Sequence, residues 1–318
     1  MHIPGLHHVT AIASDPQRNL DFHTGVLGLR LVKRTVNFDD PGSYHFYFGD
    51  AAGSPGTILT FFSWPHARRG SRGSGGTEAP AFAIPSTSLD YWTARLKTHH
   101  VNIEPPIERF EETVLRFSDP DGMLFELVAS PGATPGNAWA GGPVPTEHAI
   151  RGFHGITLLP ESIEPTARLL SETFGYHQTG ASGNRTRFTA TGSTTPGAIV
   201  DLVEPASSIA PERSGAGIVH HVAFRVPDED HQLAIREQLV RLRFAVSPVM
   251  DRTYFRSIYF REAGGILFEI ATDGPGFTAD ESLEELGNHL RLPTWLETSR
   301  ARIGAILPAL QSPPRKAT

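Results

Sequence analysis

The sequence has no cysteine among its 318 residues. This absence excludes disulfide bonds, thiolate metal ligands and cysteine nucleophiles. The sequence also has no apolar run close to the roughly 20 residues of a membrane-spanning helix, and no secretory signal is visible after Met1. Charge of one sign is not in large excess, and the net charge of −6 indicates neither nucleic-acid nor anionic-membrane binding. We expect a cytoplasmic protein with no nucleic-acid or membrane partner.

The chain contains an internal repeat. The segments GLHHVTAI, GVLGLRL and DPDGMLFELVA are followed, at a nearly constant distance along the chain, by GFHGITLL, ETFGYHQ and EAGGILFEIAT. In this alignment His154 corresponds to His8, and Glu269 corresponds to Glu126. Three landmarks with nearly one spacing indicate a duplication.

Each half of the chain has two segments in which a strand and a helix precede three further strands. The first strands of these segments are predicted near residues 6–12, 80–85, 152–159 and 218–226. The sequence therefore predicts an α+β fold. Its four βαβββ modules would form two pseudo-symmetric halves with curved sheets.

The composition of the segments between the modules predicts the domain organisation. Residues 1–130 would form the first half, the Pro- and Gly-rich residues 131–148 a linker, and residues 149–275 the second half. Residues 276–318 would form a helical tail, because ADESLEELGNHL has helical periodicity. The Gly-, Ser- and Arg-rich stretch 65–79 is predicted to be a surface loop, with a lid over a binding site as the alternative.

Two His-His pairs and one glutamate occupy strands of the first and fourth modules. Alternation along VHHVAFRV puts His221 on the concave face, because Phe224 and its apolar partners cover the helices. The same reasoning applies to Glu269 in GILFEIA and favours His8 in LHHVTAIA, although Ile12 falls on the His8 side. Two histidines and one carboxylate on one face, with open positions opposite, are the ligand set of a non-haem iron or manganese site.

Four neighbouring residues are also candidates for this site. Strict alternation places His7 and His220 on the opposite faces of their strands from His8 and His221. Two further residues are predicted close to the cavity. Tyr259 lies on a strand and should face the cavity, and Arg252 lies at the turn before that strand.

The repeat offers a second potential metal site, built from His154 and Glu126. The third ligand position of this site, which corresponds to His221, is occupied by Ala79, whose side chain has no ligand atom. We interpret this second site as a degenerate copy. The sequence predicts one metal site, in a cavity that the first and fourth modules share.

Several segments carry a resemblance to a known family: LHHVT, GLRLVKRTVNFDDP, YHFYFGD, GSPGTILTFF, EHAIRGFHG, GIVHHVAF, DRTYFRSIYFREAGGILFEIATDGPGF and LGNHLRLPTWLE. Through them the chain resembles the vicinal oxygen chelate superfamily, and more closely its bacterial ring-cleaving dioxygenases that act on hydroquinones. The resemblance implies that Fe(II), or Mn(II), is held by His8, His221 and Glu269. It implies catalytic residues around the metal at His7, His220, Arg252 and Tyr259.

The function implied by the resemblance is metal-dependent ring cleavage that inserts both atoms of O₂ into a hydroquinone-type diol. The partners would be a small aromatic substrate and O₂, and enzymes of this kind often form homo-oligomers. Three alternatives remain: extradiol cleavage of a catechol, a glyoxalase-like isomerase or lyase, and a protein that only binds an aromatic compound. The isomerase typically needs four ligands, and the matching stretch 56–59 in the first module has no carboxylate. The binding protein would not need the triad.

Overall fold

The computed structural model describes residues 2–133, 136–193, 196–206 and 209–311. The first module contains β1 (Leu6–Ala13), α1 (Pro16–Asp21) with a π-helical turn (Phe22–Val26), β2 (Arg30–Val36), β3 (Tyr44–Gly49) and β4 (Ile58–Ser63). The second module contains β5 (Gly76–Pro85), a 3-10 turn (Ser86–Ser88), α2 (Leu89–Thr98), β6 (Ile107–Arg109), β7 (Glu112–Ser118) and β8 (Leu124–Ser130).

The second half of the chain repeats this order. The third module contains β9 (Phe153–Leu159), α3 (Ile163–Arg168) with a π-helical turn (Leu169–Thr173), β10 (Tyr176–Ser182), β11 (Arg185–Ala190) and β12 (Ile199–Val203). The fourth contains β13 (Val219–Val226), α4 (Glu229–Arg241), β14 (Met250–Asp251), β15 (Phe255–Arg261) and β16 (Leu267–Pro275). The predicted α+β fold of four modules is confirmed.

The strands form two eight-stranded sheets that mix the two halves of the sequence. One sheet has the order β14-β15-β16-β13-β1-β4-β3-β2, and the other has the order β10-β11-β12-β9-β5-β8-β7-β6. The first and fourth modules therefore share one sheet, which agrees with the predicted shared cavity, and the second and third modules share the other. Each sheet takes one module from each half of the chain, instead of both modules from the same half. The domain boundaries at residues 130, 148 and 275 stay a prediction.

Alternating apolar residues build the core between each sheet and its helices. Val222, Phe224 and Phe268 belong to the main core cluster, whereas the neighbouring His221 lines the cavity on the other face. Helix α4 begins at the N-cap Asp228, whose carboxylate accepts a hydrogen bond from the next turn, and it buries Ile235 and its apolar face against the sheet. Among the described residues, no helix is long and apolar enough to cross a membrane.

The tail differs from its prediction over residues 281–290, which form turns instead of a helix. Two of their carbonyl groups accept hydrogen bonds from a side chain on β2. Arg30 donates to the carbonyl oxygens of Leu283 and Glu284 at 2.6 and 3.1 Å. Gly287 has a φ of +79°, and a Cβ atom there would collide with the carbonyl oxygen of Leu31. Tertiary contacts thus override local helical periodicity. The predicted helical character appears later, in a 3-10 turn (Thr294–Ser299) and in α5 (Arg300–Ile306), and residues 312–318 lie outside the described part.

The stretch 65–79 is held to the segment before β13. The backbone amides of Gly70, Ser71 and Ser74 donate to the carbonyl oxygens of Ala216, Arg213 and Ala210 at 2.9–3.0 Å. These hydrogen bonds favour a fixed segment over a lid. The prediction of a surface loop is wrong for residues 76–79, which begin β5 and are mostly buried.

Candidate metal centre

Three side chains of the first sheet converge on one point. The Nε2 atoms of His8 and His221 are 3.3 Å apart. The Oε2 atom of Glu269 lies 3.2 Å from the first of these nitrogens and 2.9 Å from the second. All three residues are buried. Among the described residues, they are the group whose ligand atoms could hold a metal ion.

The spacing of these atoms fits a first-row metal ion. A metal with bonds of about 2.1 Å at right angles to each other has ligand atoms about 3.0 Å apart. In addition, Oε2 of Glu269 has no partner in hydrogen-bonding geometry among the described residues, although it is fully buried. A buried carboxylate oxygen without a donor is costly. A cation between the three residues would satisfy it.

Neighbouring strands bring the ligands together. His8 lies on β1, His221 on β13 and Glu269 on β16, and these three strands are adjacent in the sheet. The register pairs His8 with Ala223, and Ala223 with Glu269. Residues far apart in the sequence thus lie on the same concave face, which is the arrangement that strand alternation predicts.

Two β-bulges change the prediction for the other two histidines. Between the pairs Leu6–Phe224 and His8–Ala223, β1 has the extra residue His7. Between Thr10–His221 and Ala11–Val219, the extra residue is His220, on β13. A bulge re-aims the side chain of its extra residue. The prediction that His220 faces away from the cavity is therefore wrong, because its side chain lines the cavity, whereas His7 does not.

The bulged histidines contact the two candidate ligand histidines. Nδ1 of His7 is 2.9 Å from Nδ1 of His8, and Nδ1 of His220 is 2.8 Å from Nδ1 of His221. With Nε2 of each ligand directed to the centre, its Nδ1–H donates to the neighbour. Burial lowers the pKa of His220 to about 3 and that of His7 well below its usual value, so both neighbours are neutral acceptors.

The candidate ligand carboxylate, Glu269, is in an environment that favours its ionised form. Burial alone would raise the pKa of Glu269, but His8 and His221 outweigh burial and hold this pKa well below its usual value. Its second oxygen, Oε1, accepts a short hydrogen bond from the hydroxyl of Ser257. That bond fixes the carboxylate plane and leaves Oε2 for the metal.

The centre lies at the end of a cavity of about 320 Å³. Arg252 and Tyr259 line it as the sequence predicts, and Nε of Arg252 donates to the Tyr259 hydroxyl at 3.1 Å. The guanidinium also lies 3.3 Å from the carboxylate of Asp39. Burial raises the pKa of Tyr259, so its hydroxyl keeps its proton.

Sequence reasoning missed most of the remaining wall, which includes Asn37, Phe38, His45, Tyr47, Phe62, Trp64 and Phe255. A signal for two of them was present in the segment YHFYF of β3. Tyr44, Phe46 and Phe48 are buried in the core, so alternation turns His45 and Tyr47 toward the concave side.

The strand register also corrects the repeat alignment. Phe153 pairs with Phe82 and Gly155 with Ala81, as Leu6 pairs with Phe224 and His8 with Ala223. The residue equivalent to His8 is therefore Gly155, and His154 is equivalent to His7. The predicted pairing of His154 with His8 is wrong, because His154 is the bulged residue of β9, as His7 is the bulged residue of β1.

The corresponding place in the second sheet is filled by ion pairs. Arg109 donates two hydrogen bonds to Glu126, both of 2.7 Å, and His154 lies 3.1 Å from Glu112 instead. The ion pairs on this face join Arg109, Arg116, Arg185 and Arg187 to Glu78, Glu112, Glu126 and Asp201. Only about 10 Å³ of open space remains. These contacts agree with the interpretation of a degenerate copy.

Comparison with known proteins agrees with this architecture. The sequence model of the glyoxalase/bleomycin resistance protein/dioxygenase superfamily matches residues 5–127. The provisionally named ring-cleaving dioxygenase MhqO of Bacillus subtilis is 45% identical over 94% of both chains. A chlorohydroquinone/hydroquinone 1,2-dioxygenase of Sphingobium indicum is 34% identical over 93% of both.

A crystal structure gives the same result for the fold. A protein from Bacillus subtilis, described provisionally as a dioxygenase, is 43% identical and superposes with a TM-score of 0.93, over 98% of this chain and 99% of its own. The chain belongs to the glyoxalase/bleomycin resistance protein/dioxygenase superfamily, also called the vicinal oxygen chelate superfamily.

Proposed function

We propose that the protein is a ring-cleaving dioxygenase that uses Fe(II), or Mn(II), to insert both atoms of O₂ into a hydroquinone-type aromatic diol. The observation that carries this proposal is the buried His8–His221–Glu269 group at the end of a cavity with aromatic walls. The names of the two relatives, ring-cleaving dioxygenase and chlorohydroquinone/hydroquinone 1,2-dioxygenase, support it.

The three ligands would hold the metal and leave positions open toward the cavity. The chemistry that such a metal supplies is Lewis acidity toward a phenolic oxygen and electron exchange with O₂. Fe(II) and Mn(II) share this ligand preference, so the choice between them would follow availability.

The walls of the cavity would bind and orient the ring. Phe62 and Trp64 stack with centroids 5.8 Å apart, and Phe255 packs on the His8 ring at 5.1 Å, so little water would remain beside the reacting carbons. The Tyr259 hydroxyl accepts from Arg252 and therefore has its own proton to donate to an oxygen of the substrate. Arg252 would offset negative charge on the ring or on the product.

His220 would donate a hydrogen bond to the bound substrate or oxygen in this mechanism. Its Nδ1 accepts from His221, so the neutral ring carries its proton on Nε2 and presents a donor to the cavity. His7 does not line the cavity, and its role would be to position His8.

The structure gives a reason against the isomerase alternative. Within the first sheet, β1 and β13 are related by a pseudo-two-fold axis. His8 of β1 pairs with Ala223, and His221 of β13 pairs with Thr10, so His8 is equivalent to His221 and Thr10 is equivalent to Ala223. Ala223 pairs with Glu269 on the next strand, and its equivalent Thr10 pairs with Thr60. The position of a fourth metal ligand, equivalent to Glu269, is therefore occupied by Thr60. Thr60 is a neutral hydroxyl, one residue beyond the stretch expected from the sequence. A second carboxylate ligand is therefore lacking at this position.

Oxygen uptake tests the proposal. Anaerobically Fe(II)-loaded protein is offered 2-methylhydroquinone and catechol in separate reactions, and consumption of one O₂ per ring is expected with the hydroquinone. The variant Glu269→Gln should lose both the bound iron and the uptake. The matched control is Glu126→Gln, which changes the equivalent glutamate of the other sheet and should keep both.

Each other outcome has a defined meaning. Uptake with catechol alone would move the substrate class to ortho diols. No uptake with either diol, from protein that retains iron, would refute the dioxygenase. Full activity of the Glu269→Gln variant would refute the metal site.

A further inference from the structure

One polar side chain of the cavity has no part in the mechanism above. His45 lies on β3 and is 9% exposed, and its ring lines the cavity. Strand β3 is separated from β1 by β4 alone, but His45 pairs with Phe62 of β4 whereas His8 pairs with Ile58. The two residues are therefore displaced by two strands and by four residues along β4, which puts their backbones roughly 16 Å apart across the concave face. His45 thus belongs to the wall that faces the triad across the space for the ring.

Hydrogen bonds fix the tautomer of His45. Its Nε2 lies 2.8 Å from Oγ1 of Thr60, and the Thr60 hydroxyl donates to Oγ1 of Thr10 at 2.9 Å. Because the Thr60 proton is used on Thr10, Thr60 accepts from His45, and the His45 proton resides on Nε2. Nδ1 of His45 is then a lone-pair acceptor on a ring that lines the cavity.

Two aromatic rings pack on His45, and Thr35 lies opposite it on β2. Its ring centroid is 4.2 Å from that of Tyr47 and 4.4 Å from that of Phe62. Burial is also the largest cause that lowers the pKa of His45 well below its usual value, so the ring is neutral. A neutral acceptor in the cavity wall offers a hydrogen bond to a donor group of the ligand, which would take the place of water there.

We propose that Nδ1 of His45 accepts a hydrogen bond from the substrate hydroxyl that is not directed at the triad, and that His45 thereby selects para diols. This inference rests on the proposed function. In catechol the two hydroxyls are on adjacent carbons, so both reach the triad end of the cavity. In hydroquinone the second hydroxyl lies across the ring, on the side of His45.

Two substitutions separate this role from a purely structural one. In His45→Gln the amide takes the place of Nε2 and keeps the bond to Thr60, but the acceptor at the Nδ1 position is lost. In His45→Asn the amide takes the place of Nδ1 and offers its oxygen there, while the bond to Thr60 is lost. The affinities of hydroquinone, catechol and phenol for the metal-loaded proteins are measured anaerobically by spectroscopic titration.

We expect His45→Gln to weaken hydroquinone binding about tenfold, because one hydrogen bond to a buried acceptor is lost. Phenol and catechol binding should stay within twofold, and His45→Asn should bind hydroquinone within about threefold of the wild type. Unchanged hydroquinone affinity in His45→Gln, or an equal loss for phenol, would overturn the inference while leaving the dioxygenase intact. A wild-type protein that binds phenol but not hydroquinone would overturn both.

Discussion

Replacing Lys33 with methionine should lower the free energy of unfolding by about 3–5 kcal/mol, the usual cost of breaking a buried ion pair by removing one partner. The Lys33 ammonium on β2 is fully buried, 2.6 Å from Asp280, 2.5 Å from Glu281 and 3.1 Å from the carbonyl oxygen of Phe277. Methionine fills the space of the aliphatic stem, but it leaves the partners without a cation.

Most of this cost should come from one of the two carboxylates. The Asp280 side chain is 25% exposed and keeps contacts with Tyr254 and Arg291 at 3.1 and 3.4 Å. The Glu281 side chain is only 2% exposed, and Lys33 neutralises it. The double variant Lys33→Met/Glu281→Leu should therefore lose less stability than the sum of the two single variants, because it leaves no uncompensated buried charge.

Urea unfolding followed by circular dichroism measures the effect, with Lys97→Met as the control because Lys97 is exposed on α2. The control should stay within about 0.5 kcal/mol of the wild type. A loss of less than 1 kcal/mol in Lys33→Met, or strict additivity in the double variant, would show that the buried charge is not the source of the stability.

Two further predictions concern pH and metal affinity. Burial raises the pKa of Glu212 to about 7, above its unfolded value, so its contribution to stability is present below about pH 4.5 and is lost as the pH rises through 7. Glu212→Gln should therefore stabilise the protein at pH 8, on the order of 1–3 kcal/mol, and not at pH 4; equal melting temperatures at pH 8 would contradict this. His7→Ala should weaken metal binding about 10–100-fold in a chelator competition, since His8 loses its orienting partner; unchanged affinity would exclude a positioning role for His7.

The predictable features of this chain were those that depend on strand periodicity. The concave placement of His221 and Glu269 follows from the apolar residues next to them, and the structure agrees. The position of His220 was not predictable, because a bulge breaks the period of two, and only the pairing with the neighbouring strand shows where the extra residue lies. The alignment of His154 failed for a related reason, since sequence similarity alone did not fix the register.

The tail and the remaining cavity wall depend on contacts over long distances. The segment 281–290 has helical periodicity, but Arg30 on β2 captures its carbonyl groups. The tautomer of His45 depends on hydroxyls from two other strands. Such partners are known only once the sheet order is known, so local patterns could not indicate them.

The pairing of β1 with β13 has a consequence for how the protein is made. His8 and His221 are 213 positions apart in the chain, and Glu269 follows still later. A growing chain on the ribosome has only one of the three candidate ligands until β13 is made, and the proposed site is complete only after β16 has emerged. A metal that binds only the folded state stabilises that state by mass action. Its binding would therefore stabilise the contact between the first and the fourth module. A protein truncated before Glu269 would lack this stabilisation by the metal, even if its second sheet folds normally.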